Sequence, residues 1–172
     1  MKEYDLNQLL NSQDMLDGKI KEFQEKEILQ KQKRDENEIN GHLLKAQNNL
    51  RFVAENIKLK FYDWAVTGCY YACYHAALAL ILTRGYSSKN HLATLCILIR
   101  DFYRKELDRE DIEVLSNFLD YQDVLFYVES KNKREDATYS TKKLFDEKGI
   151  GQLRLKAVMF VNKIEQILKN RG

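Results

Sequence analysis

Proline is absent from this sequence and glycine is scarce, with 7 glycines in 172 residues. Proline breaks helices because it lacks a backbone N–H and clashes with the preceding turn, and glycine weakens them through its conformational freedom. Their shortage leaves long helices little opposed and predicts an all-α fold. The length is enough for one sizeable hydrophobic core, so one globular domain is the starting expectation.

Cysteine is also scarce. Cys69, Cys73 and Cys96 are odd in number and lie within apolar segments, unlike the even, loop-borne cysteines of a secreted disulfide scaffold. A metal site on Cys69 and Cys73 with His75 is disfavoured, because His75 projects about 200° around a helix from Cys73. The sequence therefore predicts buried, reduced cysteines, a cytoplasmic protein, and no metal or cofactor.

Net charge is low, since 28 Lys and Arg face 26 Asp and Glu to give +2. Such a balance creates no overall field that would attract nucleic acid or an anionic membrane, so any such partner must be bound locally. The N-terminus has no apolar run, and no later segment is expected to reach bilayer length without polar interruption. A soluble, non-secreted protein is expected.

Apolar residues recur at helical spacing along most of the chain. The segment 63–83 is apolar nearly all round and is expected at the centre of a bundle, whereas 13–36 carries only a sparse stripe and is expected to protrude or pack on a partner. Short connections favour an up-and-down bundle. We divide the chain into a charged N-terminal helical extension, residues 1–37, and a helical bundle, residues 38–172. The predicted helices are 13–36, 38–59, 63–83, one carrying the apolar residues of 92–99, 109–130 and 150–170.

Local signals predict where several helices begin and end. Gly85 is typical of a helix stop, and Ser87 with Ser88 offers a cap for the next helix, so a tight turn is expected at 84–88. Asn40-Gly41 is expected to bend or cap the chain, and Asp108 to cap the helix that follows it. Residues 129–149 are polar and non-periodic, which is typical of a functional loop.

Two stretches together resemble a known family. Tyr70–Leu80 followed by Gly85 and Ser88–His91, and then Arg134–Tyr139 before a polar loop and an apolar helix, resemble small stand-alone prokaryotic HEPN proteins. The resemblance covers about residues 42–170. It implies a bundle of four to five helices, a homodimer, and pairing with a minimal nucleotidyltransferase in a toxin-antitoxin-like module that binds RNA or nucleotide.

Many members of that family are metal-independent ribonucleases with an Arg followed, after four to six residues, by His. Here Arg134 is present, no His follows it within range, and the next ring is Tyr139. Arg84 and His91 have six residues between them but lie at a different helix junction. The resemblance therefore leaves open whether this chain is an endoribonuclease.

The candidate catalytic residues are His91, Arg134 and Tyr139, assumed to converge in one cleft. His91, in the first turn of a helix whose dipole disfavours imidazolium, suits a general base, or else a structural bond to a neighbouring loop. Arg134 could clamp a phosphate or pair with a carboxylate. Tyr139 could contact RNA or anchor its loop. The candidate nucleic-acid-binding residues are Lys131, Lys133, Arg134, Lys142 and Lys143.

Other rings receive structural interpretations. His75 is expected to be structural on a buried helix and His42 to be exposed, while Tyr70, Tyr71 and Tyr74 are expected in the core and a dimer interface. An aromatic excess in 61–74 and 118–127 supports a dimer. The alternative function is a non-catalytic adaptor whose first 36 residues pack against a partner helix.

Overall fold

A computed structural model describes residues 5–118 and 146–171. It is an all-α helical bundle with one short sheet, so the predicted fold class is confirmed. The elements, in chain order, are α1 (Leu6–Asn11), α2 (Gln13–Glu25), β1 (Leu29–Lys31), α3 (Glu36–Lys58), α4 (Tyr62–Leu82), β2 (Tyr86–Ser88), α5 (His91–Asp101), α6 (109–118 within the described part) and α7 (Glu147–Lys169).

Helix α4 lies at the centre of the bundle, as its apolar sequence predicted, and contacts α3, α5 and α7. It is also long and apolar enough to span a membrane by length and composition, so the expectation that no segment meets those criteria is wrong. Most of α4 is buried inside the bundle, which is where the core helix of a soluble protein lies. Its length and composition are thus explained by packing.

Helices α3 and α4 pack closely and run antiparallel. Gly68 of α4 makes the approach possible, because a Cβ there would lie 2.7 Å from Cγ2 of Val53 and 3.0 Å from Cδ1 of Phe52. Helix α3 begins after Asp35, whose carboxylate accepts hydrogen bonds from the backbone N–H groups of the first turn. It continues without interruption through Gly41, so the predicted bend or cap at Asn40-Gly41 is wrong.

The connection between α4 and α5 contains a strand and is not the tight turn predicted at 84–88. Strand β2 pairs antiparallel with β1, with Leu29 opposite Ser88 and Lys31 opposite Tyr86. Gly85 follows the end of α4 with a φ of +71°, and its N–H donates a 2.9 Å hydrogen bond to the Leu82 carbonyl, which confirms the predicted stop. Its carbonyl accepts a hydrogen bond of 3.0 Å from the Gln32 N–H, which extends the pairing.

The N-terminal segment packs on the same chain. Helix α2 contacts α5, and Arg109 donates a 2.7 Å hydrogen bond to the side chain of Asn7. The expectation that residues 13–36 protrude is therefore wrong, whereas packing of this segment on a partner, and with it the adaptor alternative, stays a prediction. The boundary between residues 37 and 38 stays a prediction. The buried side chains of the N-terminal segment that join the main core are Leu9, Leu10, Leu16, Ile20, Phe23 and Leu29.

Helix α6 begins at a reciprocal cap. The Asp108 carboxylate accepts a 3.1 Å hydrogen bond from the Asp111 N–H, and the Asp111 carboxylate accepts one of 2.8 Å from the Asp108 N–H. The predicted cap is confirmed, and Lys163 of α7 donates to Asp108 over 2.8 Å. The rest of the predicted 109–130 helix, and residues 129–145 of the predicted loop, lie outside the described residues.

Candidate functional site

His91 is the first residue of α5, as predicted. The cap is Asn90 and not Ser87 or Ser88: its side chain accepts a 3.0 Å hydrogen bond from the Ala93 N–H. Ser88 instead donates a 2.8 Å hydrogen bond to the Asn90 carbonyl, which holds the capping residue in place. The partly exposed imidazole of His91 is therefore fixed at a helix N-terminus, next to α4.

Two tyrosines of α4 surround the His91 ring. The Tyr70 hydroxyl oxygen lies 2.5 Å from Nδ1 and 2.9 Å from Nε2 of His91, within hydrogen-bonding distance of both. Tyr74 meets the ring edge-on, with the ring centroids 4.5 Å apart. The structural alternative for His91 was a bond to a neighbouring loop. In the structure His91 contacts Tyr70, which lies on helix α4 and not in a loop. A base role requires one ring nitrogen to stay available to substrate.

Tyr70 and Tyr74 are themselves held by the core. Tyr70 is only 1% exposed and its ring stacks on that of Tyr74 at 5.9 Å. Burial raises the pKa of the Tyr74 hydroxyl, and a hydrogen bond with Thr94 opposes part of that rise. The Tyr74 phenol therefore stays protonated at neutral pH and acts as a neutral hydrogen-bonding group. The predicted place of Tyr70 and Tyr74 in the core is confirmed, whereas Tyr71 is 41% exposed.

A second histidine contact lies on the other side of α4. Nδ1 of His75 is 3.0 Å from Nδ1 of His42 on α3, and the ring centroids are 5.2 Å apart. Each imidazole is half-buried, so neither the exposed His42 nor the all-round-buried His75 of the sequence interpretation is right. Helical spacing gave no signal for this pair, because it depends on the register between two helices.

Both histidines of this pair favour the neutral form. Burial is the main cause that lowers the pKa of His75 to about 4, and the His42 ring and Lys45 add to it. Burial and Lys45 also lower the pKa of His42, against a smaller opposite effect from Glu38. A neutral pair can share one hydrogen bond between its two Nδ1 atoms, with one ring as donor and the other as acceptor.

The three cysteines are free and buried, as predicted. Burial raises the pKa of the Cys69 and Cys96 thiols to about 12 and that of Cys73 well above its usual value. Thiols of this kind are poor nucleophiles and poor metal ligands at neutral pH. Within 5–118 and 146–171, no three His, Cys, Asp or Glu side chains are grouped so that they could hold a metal ion.

The other predicted site residues cannot be placed beside His91. Arg134 and Tyr139 lie outside the described residues, so their convergence with His91 stays a prediction. The predicted nucleic-acid-binding residues Lys131, Lys133, Lys142 and Lys143 also fall in that part of the chain. What the described residues bring together is a cluster of His91, Tyr70 and Tyr74, which we call the His91 cluster.

Four aromatic side chains form an exposed apolar face at the α3–α4 end of the bundle. Phe52 is 45% exposed, Phe61 55%, Trp64 59% and Tyr71 41%. Phe52 lies over Gly68, between the levels of Trp64 and Tyr71 on α4. Exposed aromatic groups of this size are typical of interaction surfaces. We call these four residues the aromatic face.

A family model described as HEPN domain matches residues 39–150, well over half of the chain. The chain belongs to the HEPN domain family. The match covers α3 from Ile39 onward and all of α4 and α5, and therefore the whole His91 cluster. The resemblance that Tyr70–Leu80 and Arg134–Tyr139 indicated is confirmed.

One curated relative of this HEPN chain is a protein of Methanocaldococcus jannaschii named "Putative toxin MJ0142". The two sequences are 30% identical over 97 residues. The aligned region is 55% of this chain and 66% of the relative, so it spans just under two thirds of the relative's length.

Proposed function

We propose that this HEPN protein is a toxin-like RNA-binding protein that acts as one half of a pair with a minimal nucleotidyltransferase. The observation that carries the proposal is its similarity, within the HEPN family, to a relative whose printed name is that of a putative toxin. The described residues have no glycine-rich phosphate loop of their own. Nucleotide transfer would therefore be the partner's chemistry.

The proposed chemistry at the site is RNA cleavage without a metal. His91 takes the proton of the RNA 2′-hydroxyl, and Arg134 stabilises the charge that grows on the phosphate. Tyr139 positions the base or donates to the same phosphate. The geometry supports this assignment at one point, because His91 lies at a helix N-terminus that Asn90 caps, with its ring in contact with the Tyr70 hydroxyl.

We further propose that two copies of the chain associate through the aromatic face. Phe52, Phe61, Trp64 and Tyr71 expose more aromatic surface than a monomer needs, and aromatic residues are enriched in protein interfaces. Sedimentation velocity at about tens of micromolar should give a dimer. Trp64→Ser should shift the population to monomer, and a wild-type monomer at that concentration would remove this part of the proposal.

Growth of a bacterial host after induced expression tests the toxin-like role. Wild-type protein should slow growth, Arg134→Ala should not, and co-expression of the nucleotidyltransferase from the neighbouring reading frame should restore growth. Soluble expression of both variants must be matched by immunoblot. Equal growth with and without wild-type protein, or no neighbouring nucleotidyltransferase and none recovered by pull-down, would contradict the proposal.

A further inference from the structure

We propose that four cations grouped around two buried aromatic rings form a surface that binds the phosphate backbone of RNA. The rings are those of Tyr86 on β2 and of Phe102, which follows α5. This inference deepens the proposed function and rests on it, because it names the surface that holds the RNA. The four cations, which we call the ring-bound cations, are Lys31, Arg84, Arg100 and Arg171.

Tyr86 contacts two of these cations. Nζ of Lys31, which is opposite Tyr86 in the β1–β2 pair, lies 3.6 Å from the centroid of the Tyr86 ring. Cζ of Arg100 lies 4.9 Å from the same centroid. The ring is only 6% exposed, so its position is set by the core. A cation that rests on the face of such a ring is held in a defined place at the surface.

Phe102 contacts the other two. Cζ of Arg84, after the end of α4, lies 5.3 Å from the centroid of the Phe102 ring, and Cζ of Arg171, after the end of α7, lies 5.1 Å from it. Phe102 is fully buried. Arg84 is two residues from Tyr86 along the chain, and Arg100 is two residues from Phe102. The two rings and their cations therefore adjoin at one end of the bundle.

Two of the ring-bound cations carry charge that no carboxylate offsets. Lys31 and Arg84 are exposed, and neither forms a salt bridge within the part of the chain that the structure describes. The other two pair with Asp101 and Glu106, so four positive charges face two negative ones. A guanidinium stacked by its face on a ring presents the N–H groups of its edge, which match two oxygens of a phosphate.

The Tyr86 phenol reports the positive potential of this surface. Burial alone would raise its pKa, but hydrogen bonds and positive charge from Lys31 and Arg100 bring the pKa below its ordinary value. The cations therefore favour a negative charge at this position even though Asp101 is close to Arg100. A phosphate oxygen is favoured there for the same reason. Because the net charge of the whole chain is low, RNA binding requires a local surface of this kind.

Strand β2 connects this surface to the His91 cluster. Five residues separate Tyr86 from His91 along the chain, and that length of backbone spans at most about 18 Å. A few nucleotides of RNA cover such a distance. RNA held by the ring-bound cations can therefore reach the proposed site at the start of α5.

Binding of RNA at several salt concentrations tests the proposal on the full chain. The probe is a fluorescently labelled oligouridine, and the readout is the slope of the logarithm of the association constant against the logarithm of salt concentration. Each phosphate contact with a single strand contributes about 0.7 to that slope. Arg84→Gln and Lys31→Gln should each lower the slope by about 0.7, and the affinity by about fivefold at about 0.1 M salt. If Arg84→Gln fails to fold, Lys31→Gln decides.

Lys58 provides a matched control. It is exposed at the C-terminal end of α3, where it pairs with Glu55. The β1–β2 pair precedes the N-terminal end of α3, about 33 Å away along the helix. Lys58→Gln removes the same charge and should leave the slope and the affinity unchanged. An equal loss of RNA affinity in Lys58→Gln would show that only the overall charge matters, and would overturn the proposed surface.

The outcomes separate this surface from the proposed function. If wild type binds the RNA, and Arg84→Gln and Lys31→Gln bind it with the wild-type slope, the surface is wrong while RNA binding stands. If wild type binds only vesicles that contain phosphatidylserine, or neither vesicles nor RNA, both proposals are wrong. If the protein cleaves RNA in chelator, Arg84→Gln should raise KM about fivefold with little change in kcat, since Arg84 holds RNA away from the reacting phosphate.

Discussion

Two histidine contacts lie on two sides of the central helix α4, and they differ in chemistry. On the α3 side, His75 meets His42 through two Nδ1 atoms 3.0 Å apart. On the α5 side, Tyr70 presents a hydroxyl to both ring nitrogens of His91. The first pair joins two groups that can each become positively charged, whereas the second joins one such group to a neutral hydroxyl.

This chemical difference determines whether each contact can persist when its histidine is protonated. When both members of the His42–His75 pair are protonated, no acceptor remains between them and two like charges lie side by side, so the contact favours the neutral state. A hydroxyl can donate or accept, so the Tyr70–His91 contact survives a change of charge on His91. The α3 side thus suits a structural contact, and the α5 side suits a site that takes up a proton.

The largest effect on stability is expected at Gly68, where α4 lies closest to α3. Gly68→Val should destabilise the protein by about 1–3 kcal/mol, because added carbons at Gly68 meet Val53 and Phe52 in a filled interface. Gly41 is the matched control, because a Cβ there meets nothing within 4 Å. Gly41→Ala should stabilise by about 0.5–1 kcal/mol through helix propensity. Urea unfolding measures both, and equal effects at the two glycines would contradict this account of the interface.

Acid should give the second-largest effect, a loss of stability through the His42–His75 contact. Since the pKa of His75 is lowered from 6.5 to about 4, the unfolded chain binds its proton first. The stabilising effect is present above pH 6.5 and is lost as pH falls from 6.5 toward 4. We expect a loss of about 1–2 kcal/mol after allowance for solvent screening.

Urea unfolding of His75→Gln measures this contribution. Because the variant cannot be protonated at that position, its free energy of unfolding should fall less than that of wild type between pH 7.5 and pH 4.5. If the free energies of unfolding of wild type and His75→Gln fall by the same amount over this range, the pKa of His75 does not change on unfolding and this prediction is wrong.

The α5 contact should give a smaller effect on stability. In a double-mutant cycle with Tyr70→Phe and His91→Ala at pH 7.5, we expect a coupling energy of about 1 kcal/mol, the usual net value of one hydrogen bond. Repeating the cycle with Tyr74→Phe in place of Tyr70→Phe should give a lower value, since Tyr74 meets His91 edge-on and its hydroxyl bonds with Thr94. A coupling energy of zero between Tyr70 and His91 would contradict the distinction drawn between the α3 and α5 sides of α4.

Local patterns were enough to predict much of the fold. An apolar surface on all sides placed α4 at the centre, Gly85 marked its end, and Asp108 marked the start of α6. Each of these signals acts through neighbouring residues in the chain. The first turn of α5 was likewise found from local signals, which put His91 at the helix start.

Features that depend on distant contacts were missed. Strands β1 and β2 have three residues each, and only their pairing makes them strands. The His42–His75 contact depends on the register of α3 against α4. The apolar stripe of segment 13–36 looked too sparse to pack on its own bundle, but Leu9 and Leu10 from outside the segment and Leu29 within it add to the buried side chains of this region.

Cleavage of RNA by the purified full chain in chelator is the direct test of a metal-independent ribonuclease. Wild type should cleave RNA in EDTA, and cleavage should fall about a hundredfold or more in Arg134→Ala and fall steeply in His91→Ala, because each variant lacks a group that acts on the reacting phosphate or hydroxyl. Circular dichroism and melting of Arg134→Ala should match wild type. No binding or cleavage of RNA by the wild-type protein, or equal cleavage by wild type and both variants, would contradict the account.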